Sequence, residues 1–298
     1  MTTSDFALFC HWQLASGDVD PAYPLLRSVI RMRHLDDDEA HAFVLLYVAY
    51  YDLASALSVW PWHGGPVSEP LSVLPTGTER RNLRGGINLN RHLTSITEAA
   101  ALAGGWRAWL TDGFTSDPAA NWTLLQSRLR EPYGNGRWAA YKTGEVLKTV
   151  LGYPLAPTDA GHDFSTGPRH GLGLFYPGVD GNGPQAIATL NKQTEALRNL
   201  LGAEFGVGMP VEQLETMLCD WHTTVDGRYY IGHDIDLNLG QLNKAVMERL
   251  HMHDYELLML ARAESFEPRW LGEVGGWSGV RPALRTLYRD HGRLEWWT

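Results

Sequence analysis

The sequence predicts a mainly α-helical protein, and three observations support this fold class. Apolar residues recur at helical spacing along most of the chain, as Leu25, Leu26, Val29 and Ile30 do. Proline, glycine and aspartate separate these stretches, as they do at helix ends. The alternating apolar pattern of strands is weak throughout. A chain of 298 residues with 44% hydrophobic residues can bury a large core, and we predict one domain over residues 1–298.

The N-terminal part of the chain predicts three helices. Helical patterns cover residues 5–16 and 22–34, and the turn between them ends in Pro21, which suits a first helical turn. Asp36 or Asp37 caps a third helix that the pattern extends to about Trp60. This third helix is apolar on most sides, which indicates a central place in the core. Its polar residues favour a buried core helix over a membrane span.

The middle of the chain predicts a helical hairpin. Residues 61–75 are rich in proline, glycine and serine and indicate a loop. Helical patterns follow at 90–103, near Trp106 and from Pro118. Pro132 cannot continue that last helix, and a turn at Tyr133–Gly136 leads into a helix ending near Leu151. We therefore expect two helices joined by a glycine turn over about 122–152.

The C-terminal half predicts a long loop followed by further helices. The loop covers 161–183, a length that is usually functional or mobile within a compact domain. Helices are expected at 184–201, 210–221 and 237–263, with an irregular or β-like stretch at 223–236. Four arginines near the end, at i, i+4 spacing, share one predicted helix face: Arg281, Arg285, Arg289 and Arg293.

Charge and cysteine content limit the classes of function. The formal net charge of −9 counts against nonspecific DNA binding, which usually needs a basic face. Local basic patches exist, so DNA contact would be confined to them: Arg80, Arg81, Arg84 and Arg91, and then Arg128, Arg130, Arg137, Lys142 and Lys148. Two cysteines give no disulfide framework, and no secretory signal is visible. We expect a cytoplasmic protein with no membrane partner.

The hairpin turn carries the predicted DNA-binding residues. A Gly-x-Gly turn that opens a helix leaves backbone N–H groups free, which suits one phosphate of a nucleic-acid strand. The residues assigned to this contact are Gly134, Gly136, Arg137 and Lys142. The alternative is an ordinary pair of helices with glycines at their turn.

The turn and its continuation resemble the helix-hairpin-helix of the DNA glycosylase superfamily. The similarity includes Gly134–Arg137, the Leu-Gly end at Leu151–Gly152, and Pro157–Asp159. It implies a glycosylase-like fold, two helical lobes around a cleft, with Asp159 facing a flipped nucleotide. Bifunctional glycosylases carry a lysine just after the hairpin glycines. Here Arg137 and Trp138 stand at those positions, so Schiff-base chemistry is not implied.

A narrower resemblance covers about residues 12–245. It is to phage α-glutamyl/putrescinyl thymine pyrophosphorylases and the helical domain of 5-hydroxymethyluracil DNA kinases, through Asp18–Leu26, Phe43–Tyr51, Ser165–Leu172 and Glu215–Asp220. This resemblance implies a transferase in the cytoplasm of an infected bacterium. An amino acid or a polyamine would displace pyrophosphate from activated 5-hydroxymethyluracil in double-stranded DNA. The chain has no P-loop motif, so it is not the kinase itself.

Three carboxylates are the candidate catalytic groups. Asp159 and Asp163 would lie beside the extruded nucleotide and take the proton of the incoming amine. Either one would otherwise be a loop or cap aspartate, the common fate of aspartate beside glycine and threonine. The resemblance also implies that Glu215 is an active-site acid or base.

Gly167, Arg169 and His170 are the candidate pyrophosphate-binding residues. Arginine offers a planar fork for phosphate, and flanking glycines permit close backbone approach. A turn with a surface arginine is the alternative. Glu215, Cys219 and His222 share a helix face but lack a fourth ligand, so we predict no metal site. Mg²⁺ is left open as a cofactor, because departing pyrophosphate often uses it.

Two other functions are compatible with the same residues. A base-excision DNA glycosylase would share the hairpin and Asp159, and would yield abasic sites. A non-catalytic DNA-binding subunit of a modification complex would tolerate replacement of Asp159 by asparagine.

Overall fold

The computed structural model describes residues 2–178 and 181–271, and these residues are mainly helical, as predicted. No strand occurs within these two ranges. The α-helices are α1 (Thr3–Ser16), α2 (Ala22–Met32), α3 (Asp37–Tyr50), α4 (Leu53–Val59), α5 (Glu69–Ser72), α6 (Ile87–Ala103), α7 (Trp106–Thr111), α8 (Pro118–Leu129), α9 (Arg137–Leu151), α10 (Gly167–Gly173), α11 (Pro184–Phe205), α12 (Val211–Val225), α13 (His233–Glu248) and α14 (Met252–Ser265). Short 3₁₀ helices cover Thr78–Leu83 and Pro268–Trp270.

The chain divides into two compact units, each assembled from separate stretches. The first unit contains residues 1–21, 157–240 and those from 263 onwards, and the second contains 22–156 and 241–262. The expectation of a single domain with two lobes around a cleft stays a prediction.

The second unit has α3 at its core, as its apolar sequence predicts. Asp36 caps this helix and Glu39 completes the capping box, while every residue from Ala40 to Tyr50 is buried. The predicted single helix to Trp60 is wrong, because the chain breaks after Tyr50. Tyr51 adopts the left-handed conformation at φ 49°, and the Asp52 carboxylate accepts from the Ser55 amide (2.7 Å) to begin α4.

The hairpin of α8 and α9 lies in the second unit and matches the predicted range. Gly144 permits the close packing of these helices, since a Cβ there would collide with the indole of Trp122. Asn121 of α8 donates to the Pro154 carbonyl (3.0 Å), which holds the segment after α9 against the start of the hairpin.

The first unit packs α10 directly on α12, and this helix corrects the prediction of a loop over 161–183. A Cβ at Gly171 would collide with the backbone carbonyl of Leu218, so glycine is required at this crossing. The sequence of α10 is too short and too glycine-rich to produce an apolar period. Trp221 of α12 packs between Phe6 and Phe9 of α1, with ring centroids 5.5 and 5.2 Å away.

Two further predictions are corrected. The stretch 223–236 contains the end of α12, a turn and the start of α13, with no β-strand. The predicted helix over 237–263 is two helices, α13 and α14, separated at residues 249–251. The arginines from Arg281 to Arg293 lie outside the described residues. Within the described ranges, no helix is long and apolar enough to cross a membrane.

Candidate functional site

A cleft of about 700 Å³ opens at the turn of the hairpin, and we call it the hairpin cleft. It is lined by Glu79, Arg80, Arg81, Asn82, Leu83, Arg84, Asn88, Tyr133, Gly134, Gly136, Trp138 and Ala139. Gly136 is the N-cap of α9, has no side-chain cap, and has open space where a Cβ would lie. The first amides of α9 therefore have no side-chain acceptor at the cap, which suits an anion.

A buried pair of basic side chains fixes the turn. Gly134 has a φ of +82°, which favours glycine, and its carbonyl accepts from Arg80 (3.3 Å). His92 donates from Nδ1 to the Tyr133 carbonyl (2.7 Å), which leaves Nε2 to accept from Arg80 (3.4 Å). Burial and the nearby Arg80 lower the pKa of His92 to about 3, so this ring is neutral at pH 7.

The four arginines predicted as one patch have different positions. Arg80 is only 5% exposed and supports the turn from inside the protein. The guanidinium of Arg91 lies 3.9 Å from the ring centre of Tyr133, as in a cation–π contact. Arg81 and Arg84 are exposed and line the cleft, so they are the members of the patch placed for a phosphate.

The predicted DNA-binding residues separate in the same way. Gly134 and Gly136 line the hairpin cleft, and Arg137 is exposed at the first position of α9. Lys142 is buried at 8% exposure and pairs with Glu145 (2.7 Å), one turn along the same helix. This corrects the expectation that Lys142 lies on a DNA-facing surface.

A second cleft, of about 520 Å³, lies in the first unit between α10 and its neighbours, and we call it the histidine cleft. Its lining includes Thr166, Arg169, His170, Tyr176, Leu190 and His222. The rings of His170 and His222 have centroids 5.0 Å apart. Arg169 donates to the Gly181 carbonyl (3.2 Å) and to the Asn182 side chain (2.6 Å). One arginine and two histidines thus face a single opening.

Gly167 has a packing role that the sequence did not indicate. It begins α10, and a Cβ there would collide with Sγ of Cys219 on α12. The residue that lines the histidine cleft at this end is Thr166. Of the three predicted pyrophosphate-binding residues, Arg169 and His170 line the cleft and Gly167 lets α10 approach α12.

A group of five carboxyl side chains forms an acidic cluster in the first unit: Asp18, Asp20, Glu215, Asp220 and Asp234. Asp18 is fully buried and accepts from the hydroxyl of Tyr229 (2.6 Å) and from the amides of Gly232 (2.7 Å) and Ile235 (2.9 Å). Burial, together with the charge of Asp234, raises the pKa of Asp18 to about 7.

Asp220 is the second deeply buried member of the cluster. Gln13 donates from Nε2 to its carboxyl (3.2 Å) and to the oxygen of Tyr229 (3.0 Å). Burial raises the pKa of Asp220 well above its usual range, and the four other carboxyls of the cluster raise it further. Glu215 is the one predicted catalytic carboxylate that belongs to this cluster.

The other two predicted carboxylates lie in the segment before α10. Asp159 is half-buried and accepts from the amide of Gly161 (2.8 Å), the geometry of an aspartate-stabilised turn. Asp163 raises the pKa of the adjacent His162. Burial and Arg169 outweigh it and lower that pKa to about 4. The bonding of Asp159 matches the alternative that the sequence left open, and its catalytic role stays a prediction.

Sequence reasoning assigned no role to Gln13, Asp18, Asp220 or Tyr229. Gln13 and Tyr229 lie 216 positions apart, so no local pattern links them. The available signal was the pair of segments that carry the resemblance, which contain Asp18 and Asp220. Within residues 2–178 and 181–271, no group of three or more histidine, cysteine, aspartate or glutamate side chains is arranged to hold a metal.

These clefts define a class: a mainly helical protein with two openings whose arginines, histidines and free helix amides suit phosphate groups. A family model described as amino acid:DNA transferase matches residues 12–230, and the chain belongs to this family. The match confirms the resemblance to the phage thymine-hypermodification transferases. The activity that the family implies is the transfer of an amino acid onto DNA.

Proposed function

We propose that the protein transfers an amino acid, or another amine such as a polyamine, onto 5-hydroxymethyluracil that carries a pyrophosphate ester in duplex DNA. The family supports the transfer of an amino acid onto DNA. The observation that carries the finer proposal is the histidine cleft, where Arg169, His170 and His222 surround one opening. A negatively charged leaving group needs such a concentration of N–H donors.

The proposed reaction is a displacement at the carbon attached to C5 of the base. The amine nitrogen forms a bond to this carbon, and the bond from the carbon to the ester oxygen breaks. The pyrophosphate leaves with that electron pair. Arg169 stabilises the developing charge with its fork of N–H groups, and both histidines add donors when protonated.

DNA binding is assigned to the hairpin cleft. The free N-terminus of α9 binds one phosphate, and Arg81 and Arg84 bind neighbouring phosphates. A base inside a duplex is inaccessible to an attacking amine, so the target nucleotide is extruded. Asp159, Asp163 and Glu215 are the carboxylates proposed for proton transfer.

The test compares leaving groups. DNA carrying the 5-hydroxymethyluracil pyrophosphate or monophosphate ester is given to the protein with a mixture of amino acids and polyamines. We expect Arg169→Ala to lower the rate of amine-adduct formation on the pyrophosphate ester about 100-fold. Arg198→Ala, which removes an arginine of α11 paired with Glu195, is the matched control and should leave that rate unchanged.

Three outcomes would oppose the proposal. Equal rates for wild type and Arg169→Ala would exclude the histidine cleft as the leaving-group site. Free base with abasic sites would indicate the glycosylase alternative instead. DNA binding without any product would indicate the non-catalytic subunit. Adding EDTA in parallel decides whether Mg²⁺ is needed, which the proposal leaves open.

A further inference from the structure

The acidic cluster contains a buried hydrogen-bond acceptor without a partner. Gln13 is fully buried, and its Nε2 is used by Asp220 and Tyr229. Its Oε1 is inaccessible to solvent and has no hydrogen-bond partner within the described residues. Buried polar groups are normally paired, so each exception requires an explanation. A ligand that brings N–H groups to this oxygen supplies one.

The two deepest carboxyls of the cluster differ in what they already bind. Asp18 accepts from Tyr229, Gly232 and Ile235, so its two oxygens are occupied and it ties the turn before α13 to the end of α1. Asp220 receives one side-chain donor in the described part of the chain, Nε2 of Gln13. Its carboxyl therefore has acceptor capacity left.

The electrostatic surroundings of Asp220 select the sign of a ligand. Every charged group that shifts the pKa of Asp220 is another carboxyl: Asp234, Asp18, Asp20 and Glu215. A cation placed beside Asp220 would relieve this mutual repulsion. A primary ammonium combines a positive charge with three N–H donors, enough for Gln13 Oε1 and for the Asp220 carboxyl. The described residues show no group able to coordinate a metal ion here, which favours an ammonium over a metal cation.

We propose that Gln13 and Asp220 bind the primary ammonium group of the amine that is transferred, with Gln13 Oε1 and the Asp220 carboxyl as its acceptors. This inference rests on the proposed function, because it assigns the site of the nucleophile in the same reaction. An amino acid and a polyamine share this ammonium chemistry, so the test contains one probe of each kind.

The same position gives Asp220 a chemical step. A bound ammonium cannot attack while its nitrogen carries three protons. One N–H bond breaks and the proton passes to the Asp220 carboxylate, and the freed electron pair forms the bond to carbon as pyrophosphate leaves. Burial and like charges increase the proton affinity of Asp220, which makes its ionised form a stronger base than an exposed aspartate.

The experiment measures amine binding in the absence of DNA, using the full chain and isothermal titration. The probes are glycine and putrescine, and acetate is the amine-free control. We expect Asp220→Asn and Gln13→Met to weaken binding of the preferred amine at least tenfold. Glu204→Gln, which removes an exposed carboxylate of α11, should match wild type. Melting temperatures verify that every variant is folded.

The kinetic arm uses the same variants on activated DNA. We expect Gln13→Met to raise KM for the amine with little change in kcat, and Asp220→Asn to raise KM and lower kcat. Wild-type amine affinity in a folded Gln13→Met or Asp220→Asn protein would overturn the proposal. If wild type binds the amine through these residues but forms no adduct, the proposed function fails while the amine site stands.

Discussion

His92 is a buried base whose neutral form supports the hairpin turn, and this predicts a pH dependence of stability. Its pKa is about 3 in the folded protein and about 6.5 in the unfolded chain, so the unfolded chain binds more protons between these values. Stability therefore falls as the pH drops from about 6.5 towards 3, by up to about 1.4 kcal/mol per pH unit.

Chemical denaturation at pH 6.5 and pH 5 tests this prediction. We expect the loss of unfolding free energy between these two values to be about 2 kcal/mol smaller in His92→Gln than in wild type. His11→Gln removes an exposed histidine and is the control. An identical loss in wild type and His92→Gln would show that His92 does not titrate on unfolding.

Two glycines of α10 give a matched pair for testing how close this helix lies to α12. A Cβ at Gly171 would meet the Leu218 carbonyl, a backbone atom that cannot rotate away, whereas Gly173 has open space and needs no unusual backbone angle. We expect Gly171→Ala to lower the free energy of unfolding by about 3 kcal/mol, and Gly173→Ala to change it by less than about 1 kcal/mol. Equal effects in urea denaturation would contradict the packing described for α10.

Which residues could be predicted from sequence follows from where the signal lies. The hairpin glycines and Arg169 stand in short local patterns, so their chemistry was visible. Gln13, Asp18 and Asp220 acquire their roles only when segments about 200 positions apart meet, and one sequence does not show that meeting. Lys142 was misplaced because its sequence position near the turn does not reveal that its side chain is buried.

At the scale of elements, the free N-terminus of α9 predicts how a capping residue would affect DNA binding. Gly136→Asp supplies an acceptor for the first amides of the helix and adds a negative charge. We expect the unfolding free energy to change by only a few tenths of a kcal/mol, and DNA affinity to fall about tenfold. Fluorescence anisotropy with a labelled duplex measures the affinity.

Gly183→Asp is the control for this substitution. Gly183 is also an N-cap glycine without a side-chain cap, on α11, and its backbone angles are similar. It adds the same charge away from the hairpin cleft, so it should leave DNA affinity within about twofold of wild type. If both variants lose affinity equally, the effect is one of net charge, and the hairpin is not the DNA contact.

The exposed arginines of the hairpin cleft predict a salt dependence. If Arg81 and Arg84 each neutralise one phosphate, replacing either by alanine should reduce the slope of log affinity against log salt by about one. Lys192→Ala, on α11, removes an exposed positive charge outside this cleft and should leave the slope unchanged. An unaltered slope in both arginine variants would exclude them from the phosphate contact.

The elements that sequence predicted poorly share a physical reason. Periodicity detected the long amphipathic helices, including the hairpin pair, but it depends on length and on one apolar face. Helix α10 is seven residues of which three are glycine, and packing on α12 makes it helical. The break between α3 and α4 lies within a continuous apolar run, where only the Asp52 cap marks the new start.

For the molecule as a whole, an acidic protein that acts on DNA needs its basic groups in a few places. The net charge is −9, while Arg81 and Arg84 are concentrated at one cleft and Arg169 at another. Such a distribution limits nonspecific binding and leaves recognition to the modified base. The family predicted from residues 12–245 is confirmed by the match over 12–230, because its motifs are local.

The most direct test of the central claim is mass spectrometry of nucleosides from DNA treated with the full chain and ¹⁵N-labelled amino acids or polyamines. The account predicts a pyrimidine nucleoside that carries the labelled amine, formed only on DNA with the pyrophosphate ester of 5-hydroxymethyluracil. Labelled product on DNA without that ester would contradict the proposed substrate. No labelled nucleoside on any DNA, with every amine present, would contradict the transfer itself.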